Sequence, residues 1–447
     1  MEKRSTFGSR FGAIAVVAGS AVGLGNIWKF PYVVGQNGGA AFIVIYLAIS
    51  LLISIPVILS EFAVGRGSQK NTLGAFRSLS RQKGWQSIGY LGILTALVIL
   101  SFYCVIAGWS LEFIKESVLG EFMHSSQKEV ADHFREFVDS GWRSVAWALG
   151  FLALNCVVLV LGINKGIERC SKFMMPVLVV LLFGMAVGSI FLGGWTDSME
   201  FLFKPDWSKI DGKTVVMALG QSFFSLSLGM GTMITYGSYI NKKENLLRVA
   251  GTVVVTDTLV AIMAGLAIFP AVFTFGISPT SGADLVFLTL PTLFAQIPGG
   301  YFLSIAFFVL LFFAAITSSF SILEVIIAYL SEEFRMSRTM AVVVSFVVIG
   351  VLSTLCALSQ TPTSCMGIGR WDLLQIFDYV SSNYMLPIGG LATVIFAGWV
   401  MKKRVLRREI TTGGHYGKKL FPVLRFMLRY VVPTAIVVMF LSLAGVI

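Results

Sequence analysis

The chain has 447 residues, 56% of them hydrophobic and 13% charged, with a formal net charge of +11 and a mean hydropathy of +0.83. A charged fraction of about half the ~25% usual in soluble domains excludes an ordinary water-soluble enzyme or binding module and fits a polytopic membrane protein. Apolar runs of about 20 residues, long enough to cross a bilayer, fall at 11–34, 39–64, 88–114, 143–162, 172–194, 213–240, 249–276, 299–330, 339–357, 373–400 and 423–446, which makes eleven spans.

The first span is interrupted at its centre, where the chain reads Ala18, Gly19, Ser20, Ala21, Val22, Gly23, Leu24, Gly25, Asn26. Backbone groups freed at bilayer depth are tolerated only against protein or a polar cavity, so a break there would mark a binding site. Gly19 and Gly23, four apart, equally fit two helices packed closely without unwinding. The sixth span repeats the pattern at Ser225, Leu226, Ser227, Leu228, Gly229, Met230, Gly231, and two interrupted spans at matching places in two halves point to a transporter's substrate site. Five helices separate the starts of the two broken spans. Because five is odd, a second copy of a five-helix unit enters the membrane inverted, giving repeats at 11–194 and 213–400, with 423–446 as an addition, all within one domain, 1–447.

Of the 34 Lys and Arg residues, 25 lie before the first span, in alternate connections on the same side of the membrane, or at the span ends adjoining them, in groups of three, five, three, three, two and nine. The positive-inside rule then predicts a cytoplasmic N-terminus, and the odd span count an extracellular C-terminus. The net charge is thereby a topology signal and calls for no nucleic-acid partner. The basic start followed by an apolar run has the outline of a secretory signal, but the run is too long and lacks a small-residue cleavage site, so it is expected to stay uncleaved. The five cysteines show no metal spacing, and no disulfide is expected between Cys356 and Cys365. His124, His133 and His415 fall in loops, so no histidine relay crosses the membrane. Two external segments, 118–142 and 277–298, are expected to be structured, the second as a short helical lid.

Ionisable groups at the bilayer centre cost about 2.5 to 3.5 kcal/mol even on lenient scales; here they are Lys29, Glu61, Asp257, Glu324 and Asp378. Glu61 fits either a surface carboxylate or an acceptor for amides of a broken helix. Asp257 has no basic neighbour in its span and needs a cation. The run Ala314, Ala315, Ile316, Thr317, Ser318, Ser319 fits either hydroxyls bonded back to their own helix or oxygen ligands for a small hard cation such as sodium. No paired catalytic carboxylates, metal-spaced histidines or nucleophile elbow appear in the spans, so the chain does not read as an enzyme. Polarity gathered at the midplane, instead of repeated along several helices, argues against a channel.

Three stretches together, Gly23 through Tyr32 with Asn37, Gly38 and Gly39, Gln221 through Gly231, and Thr317, Ser318, Ser319, resemble the neurotransmitter:sodium symporter family, in its bacterial amino-acid branch with eleven helices. The resemblance covers essentially the whole chain. It implies an all-α membrane protein of the leucine-transporter type, an inverted repeat of five plus five helices and one additional helix. It implies sodium-coupled symport of neutral, hydrophobic or aromatic amino acids into the cell across the plasma membrane by alternating access. The alternative is a related-fold carrier for another small solute or one driven by protons. The implied partners are the amino acid, two sodium ions and the bilayer; neither chloride nor an obligate protein partner is expected.

By position, the resemblance implies a first sodium site from the Ala21 carbonyl, Asn26, Ser225 and Asp257, with Asp where relatives often have Asn and Ser where they have Thr. The second takes carbonyls of Gly19, Val22 and Ala314 with the hydroxyls of Thr317 and Ser318. The substrate carboxylate would meet the amides of Leu24 and Gly25 and the Tyr103 hydroxyl. Its ammonium would meet carbonyls of Ala21, Phe224 and Ser225 and the Ser227 hydroxyl. Ile99, Met230, Ser318 and Ile322 would line the side-chain pocket, and Phe224 and Tyr103 would close over it. Lys29 and Asp378 resemble an outer gate, with Lys in place of the usual Arg. Arg4, Ser238, Tyr239 and Glu332 resemble an inner gate, and Gly166 and Pro176 bracket nine residues like the family element that unwinds to release the second sodium.

Overall fold

A computed structural model describes residues 6–276, 285–296 and 299–443. Among these residues, nine helices are long and apolar enough to span a bilayer, and one further span is a pair of helices bent by 45° at a short break. The bent pair comes first. The Ser9 hydroxyl accepts the Gly12 amide at 3.0 Å and so starts α1 (Arg10–Ala21), and α2 (Gly25–Gln36) follows the break. Then come α3 (Ala40–Ser68), a short α4 (Thr72–Leu79) and α5 (Lys83–Leu119).

The predicted external segment at 118–142 contains α6 (Gln127–Asp139), which opens with a capping box between Ser126 and Glu129. The spans α7 (Trp142–Val160) and α8 (Ile163–Phe191) follow, then α9 (Trp195–Phe203) in a stretch the hydropathy pattern leaves as a loop. The sixth span is split into α10 (Gly212–Ser225) and α11 (Thr232–Tyr239), with residues 226–231 non-helical between them. The chain continues through α12 (Leu246–Thr274) and the short α13 (Val286–Ala295) to α14 (Gly300–Glu333) and α15 (Arg338–Leu358). A two-residue hairpin, β1 (Gly367–Ile368) with β2 (Trp371–Asp372), precedes α16 (Leu373–Val400), the amphipathic α17 (Lys403–Ile410) and α18 (Phe421–Leu443).

Each of the eleven predicted runs thus meets a helix or a broken pair, and the differences lie at the ends. α5 and α14 continue beyond their apolar stretches because polar residues past the bilayer still make helical hydrogen bonds. The expected lid lies partly outside the described residues; its described part, α13, buries Leu290, Leu293 and Phe294, and Phe287 meets Trp109 edge to face at 5.5 Å.

α14 runs along α5, α11 lies against α3, and α15 against α7. Around this core the outer faces leave large apolar side chains uncovered, among them Val157, Phe173, Val180, Phe183, Val347 and Val351. In water such a surface would drive aggregation; in a bilayer it is the correct exterior.

Candidate functional site

The two breaks face each other in the interior. Between α10 and α11, Gly229 (φ 83°) and Gly231 (φ 80°) occupy the left-handed region, and a Cβ on Gly229 would stand 2.0 Å from the Leu386 carbonyl oxygen. Ser227 shares that region at φ 53°, held by its hydroxyl donating to the Ser20 carbonyl at 3.0 Å. Glu61 is fully buried and accepts the Gly229 amide at 2.8 Å, so the surface-carboxylate reading is excluded and the amide-capping reading holds. The Thr72 hydroxyl donates to the Gly231 carbonyl at 3.2 Å, a contact that hydropathy does not disclose. In the other break, Asn26 Oδ1 accepts the Gly23 amide at 3.0 Å. A Cβ on Gly23 would lie 2.9 Å from Ser318, so only glycine lets α14 come this close.

A small enclosed pocket lies between the breaks, lined by Ala21, Gly23, Gly25, Ile99, Tyr103, Phe224, Ser225, Ser227, Met230, Ser318 and Ile322, with a free volume of about 10 Å³. Ten of the eleven residues expected to contact substrate line it. Leu24 adjoins it, its amide donating to the Tyr103 hydroxyl at 3.4 Å; Gly23 lines it unforeseen.

Above the pocket opens a vestibule of about 970 Å³, bordered by Trp28, Lys29, Tyr32, Trp109, Gln221 and Asp378. At its floor the Lys29 ammonium meets Asp378 at 3.1 Å, donates to the Ser382 hydroxyl at 3.1 Å and stands 4.3 Å over the Phe224 ring.

The face bearing the N-terminus is packed shut. Phe7 is buried edge-on against Tyr236 (5.9 Å) and Tyr239 (6.1 Å). The Tyr239 hydroxyl donates to Glu324 at 2.8 Å, and Arg338 pairs with the same carboxylate at 2.7 Å. Glu324 and Arg338, absent from the expected inner network, are thus joined to Tyr239, which that expectation names. Glu332 accepts the Asn71 amide at 2.8 Å, the Ser238 carbonyl accepts from Gln69 at 2.9 Å, and Arg4 lies outside the described residues. Gly166 sits in a wide helical turn at Ile163–Glu168 and Pro176 inside the α-helix that continues it. The expected release element is thus wound here, although Pro176 supplies no amide to the turn before it.

Asn26, Ser225 and Asp257 converge. Asp257 Oδ1 accepts from Asn26 Nδ2 at 2.8 Å and from the Ser225 hydroxyl at 2.6 Å, while Oδ2 accepts from the Tyr46 hydroxyl at 2.8 Å. The sequence does not single out Tyr46; a phenol in the apolar run 39–64 is its only signal there. Asp257 is fully buried, and no basic side chain among the described residues makes an ion pair with it. A buried carboxylate bonded only to neutral donors suits a small hard cation. Toward the N-terminal face, Thr317 bonds back to the Phe313 and Ala314 carbonyls at 2.8 and 3.2 Å, whereas Ser318 crosses to the Ser20 carbonyl at 3.0 Å. Gly19 faces Thr317 closely enough that a Cβ would meet it at 3.4 Å, and Val22 ends α1 beside them. Elsewhere, Glu112, Glu116 and His133 group together, but Lys115 pairs with both carboxylates and Arg143 with Glu112, so their charge is already spent.

Two interrupted spans enclosing a buried polar pocket, within a shell of lipid-facing helices, define a membrane transporter. The model of the sodium:neurotransmitter symporter family matches residues 4–136 and 121–446, and the chain belongs to that family. The sodium-dependent transporter YhdH of Bacillus subtilis is 36% identical over 445 residues, covering 100% of this chain and 99% of that one. A sodium-dependent transporter of Haemophilus influenzae is 37% identical over 459 residues, covering 99% and 98%. The crystal structure of MhsT in complex with L-phenylalanine matches with a TM-score of 0.92 at 40% identity, covering 98% of this chain and all of that one. The fold is of the leucine-transporter type, five plus five helices in inverted repeat and one more, and the protein is a sodium-dependent transporter.

Proposed function

We propose that this protein imports neutral amino acids with hydrophobic or aromatic side chains, coupled to entry of two sodium ions and independent of chloride. The observation that carries the reading is the enclosed pocket between the two breaks. One wall offers the amides of Leu24 and Gly25 at the start of α2 with the Tyr103 hydroxyl, a place for a carboxylate at the positive end of a helix. The other offers carbonyls at the end of α10 with the Ser227 hydroxyl, a place for an ammonium. Met230, Ile99 and Ile322 give the third side an apolar surface. The pocket holds about one water as it stands, so substrate enters by shifting Met230 and Phe224. Methionine's unbranched side chain allows this at little cost. MhsT, with L-phenylalanine bound and 40% identity, supports an aromatic substrate.

The first sodium is held by the Ala21 carbonyl, Asn26, Ser225 and Asp257, and the second by Gly19, Val22, Ala314, Thr317 and Ser318. Two charges moving down 100 mV release about 4.6 kcal/mol, and a tenfold gradient adds about 1.4 kcal/mol per ion, together enough for roughly 10⁵-fold accumulation. In the inward direction the vestibule is extracellular and the N-terminal face cytoplasmic, as the basic residues require. Lys29 and Asp378 close the outer side; Tyr239, Glu324 and Arg338, with Arg4, Ser238 and Glu332, close the inner. Winding and unwinding between Gly166 and Pro176 opens the second sodium to the cytoplasm. Residues 11–194 and 213–400 move as the two repeats.

Radiolabelled phenylalanine and leucine uptake into proteoliposomes tests this. Uptake is expected with sodium and lost when potassium or choline replaces it; equal uptake in all three salts overturns the coupling.

A further inference from the structure

We propose that the outer face of α17, with the start of α18, is a docking surface for anionic phospholipid headgroups. The proposal rests on the orientation above, which makes this the cytoplasmic leaflet. Between Lys402 and Arg429 the chain has nine Lys and Arg residues and a single acid, Glu409. That acid is turned inward, 2% exposed, and paired with the buried Arg66 at 3.0 Å. It pins α17 to the end of α3 by its inner side, where Leu406 and Ile410 are also buried. Lys402, Lys403, Arg404, Arg407 and Arg408 are consequently all exposed on the other side, and of these only Arg408 also touches Glu409.

A run of bases alone fits the plain topological role of the positive-inside rule. Two observations go further. The same surface carries the aromatic side chains of a membrane interface: Trp399 is 52% exposed and Tyr430 48%, and the Arg429 guanidinium lies 4.7 Å over the Trp399 ring. These place the neighbouring bases at headgroup depth and not out in water. Arg425, in the first turns of α18, is partly exposed and makes no ion pair among the described residues, so the terminal nitrogens of its guanidinium, unlike the buried Nε, are open to a phosphate oxygen. Anionic lipid is thus favoured over a soluble polyanion, which has no use for the aromatic side chains.

The test uses the full-length protein in nanodiscs of phosphatidylcholine alone or mixed equally with phosphatidylglycerol, with lipids retained through purification counted by native mass spectrometry. Wild type is expected to retain phosphatidylglycerol preferentially, with the preference weakened by high salt. Each base near an anionic surface contributes about five-fold, so Lys402→Gln, Lys403→Gln, Arg404→Gln and Arg407→Gln combined should cut the preference more than tenfold, and Arg425→Gln alone severalfold. Sodium-dependent phenylalanine binding, followed on the same samples, should persist in the variants and reports separately on the transport reading. No preference in wild type, an undiminished preference in the folded quadruple variant, or protease access placing α17 outside the cell would each overturn the proposal, as would equal binding of a soluble polyphosphate.

Discussion

Replacing Asp257 by Asn keeps the side chain's shape and removes its charge. The carboxylate is fully buried and accepts from Asn26, Ser225 and Tyr46 at 2.6 to 2.8 Å. An Asn has one acceptor oxygen for these three donors, so one hydrogen bond is lost at about 1 kcal/mol or more. For the ion, two unit charges about 4 Å apart interact by ~4 kcal/mol at an effective dielectric near 20. Part of that is offset because the ion-free variant no longer buries a bare carboxylate. A net loss of at least ~1.4 kcal/mol remains, a tenfold or greater rise in the sodium concentration for half-maximal uptake. The assay is sodium-titrated uptake by orientation-controlled proteoliposomes, with thermal unfolding as a control for folding. Because Asp257 supplies a fixed negative charge, and the buried Ala261, one helical turn further along α12, offers no hydroxyl to an anion, wild-type uptake should be unchanged when gluconate replaces chloride. A folded Asp257→Asn variant with the wild-type sodium curve, or strict chloride dependence of wild type, refutes the charge-balance argument.

Three further outcomes are expected. Thr317→Val retains shape without the hydroxyl and should raise the half-maximal sodium concentration with folding intact; an unchanged sodium titration removes Thr317 from the second ion site. Gly229→Ala forces a Cβ to 2.0 Å from the Leu386 oxygen at φ 83°, so substrate binding should be lost and the melting temperature lowered, by a destabilisation of about 1 to 3 kcal/mol; wild-type binding and melting would show that the break has slack. In competition assays, leucine, phenylalanine and tryptophan should displace labelled substrate, and displacement by glycine and alanine alone would contradict the role given to Met230.

What the sequence discloses depends on whether a feature is local. A span needs about 20 apolar residues in a row, so all eleven are legible, and a break is legible because glycines and hydroxyls crowd a place where lipid admits neither. Helices outside the bilayer, α4 and α9 for instance, carry no such length constraint and go unnoticed. Partners across the bundle are harder still. The isolation of Asp257 within its span announces an unmet charge, but nothing near Tyr46 reveals that its hydroxyl turns toward that carboxylate. Glu61 by position fits two readings, which only the Gly229 amide at hydrogen-bond distance separates, and Glu324 stands out in its span as an intramembrane charge with nothing nearby to disclose its partners Tyr239 and Arg338.

These long-range pairs share a physical logic. The buried carboxylates differ in their partners: Glu324 is neutralised by the Arg338 guanidinium where α14 and α15 seal one face, whereas Glu61 and Asp257 have only neutral donors, Glu61 the Gly229 backbone amide in the break and Asp257 the side chains of Asn26, Ser225 and Tyr46. A bundle whose buried acids were all paired with bases would be a rigid scaffold with no call for a cation. One in which Asp257 has only Asn26, Ser225 and Tyr46 as partners keeps a charge that the proposed first sodium would balance, and beside the break in the first span that ion and the proposed substrate would act on the same backbone.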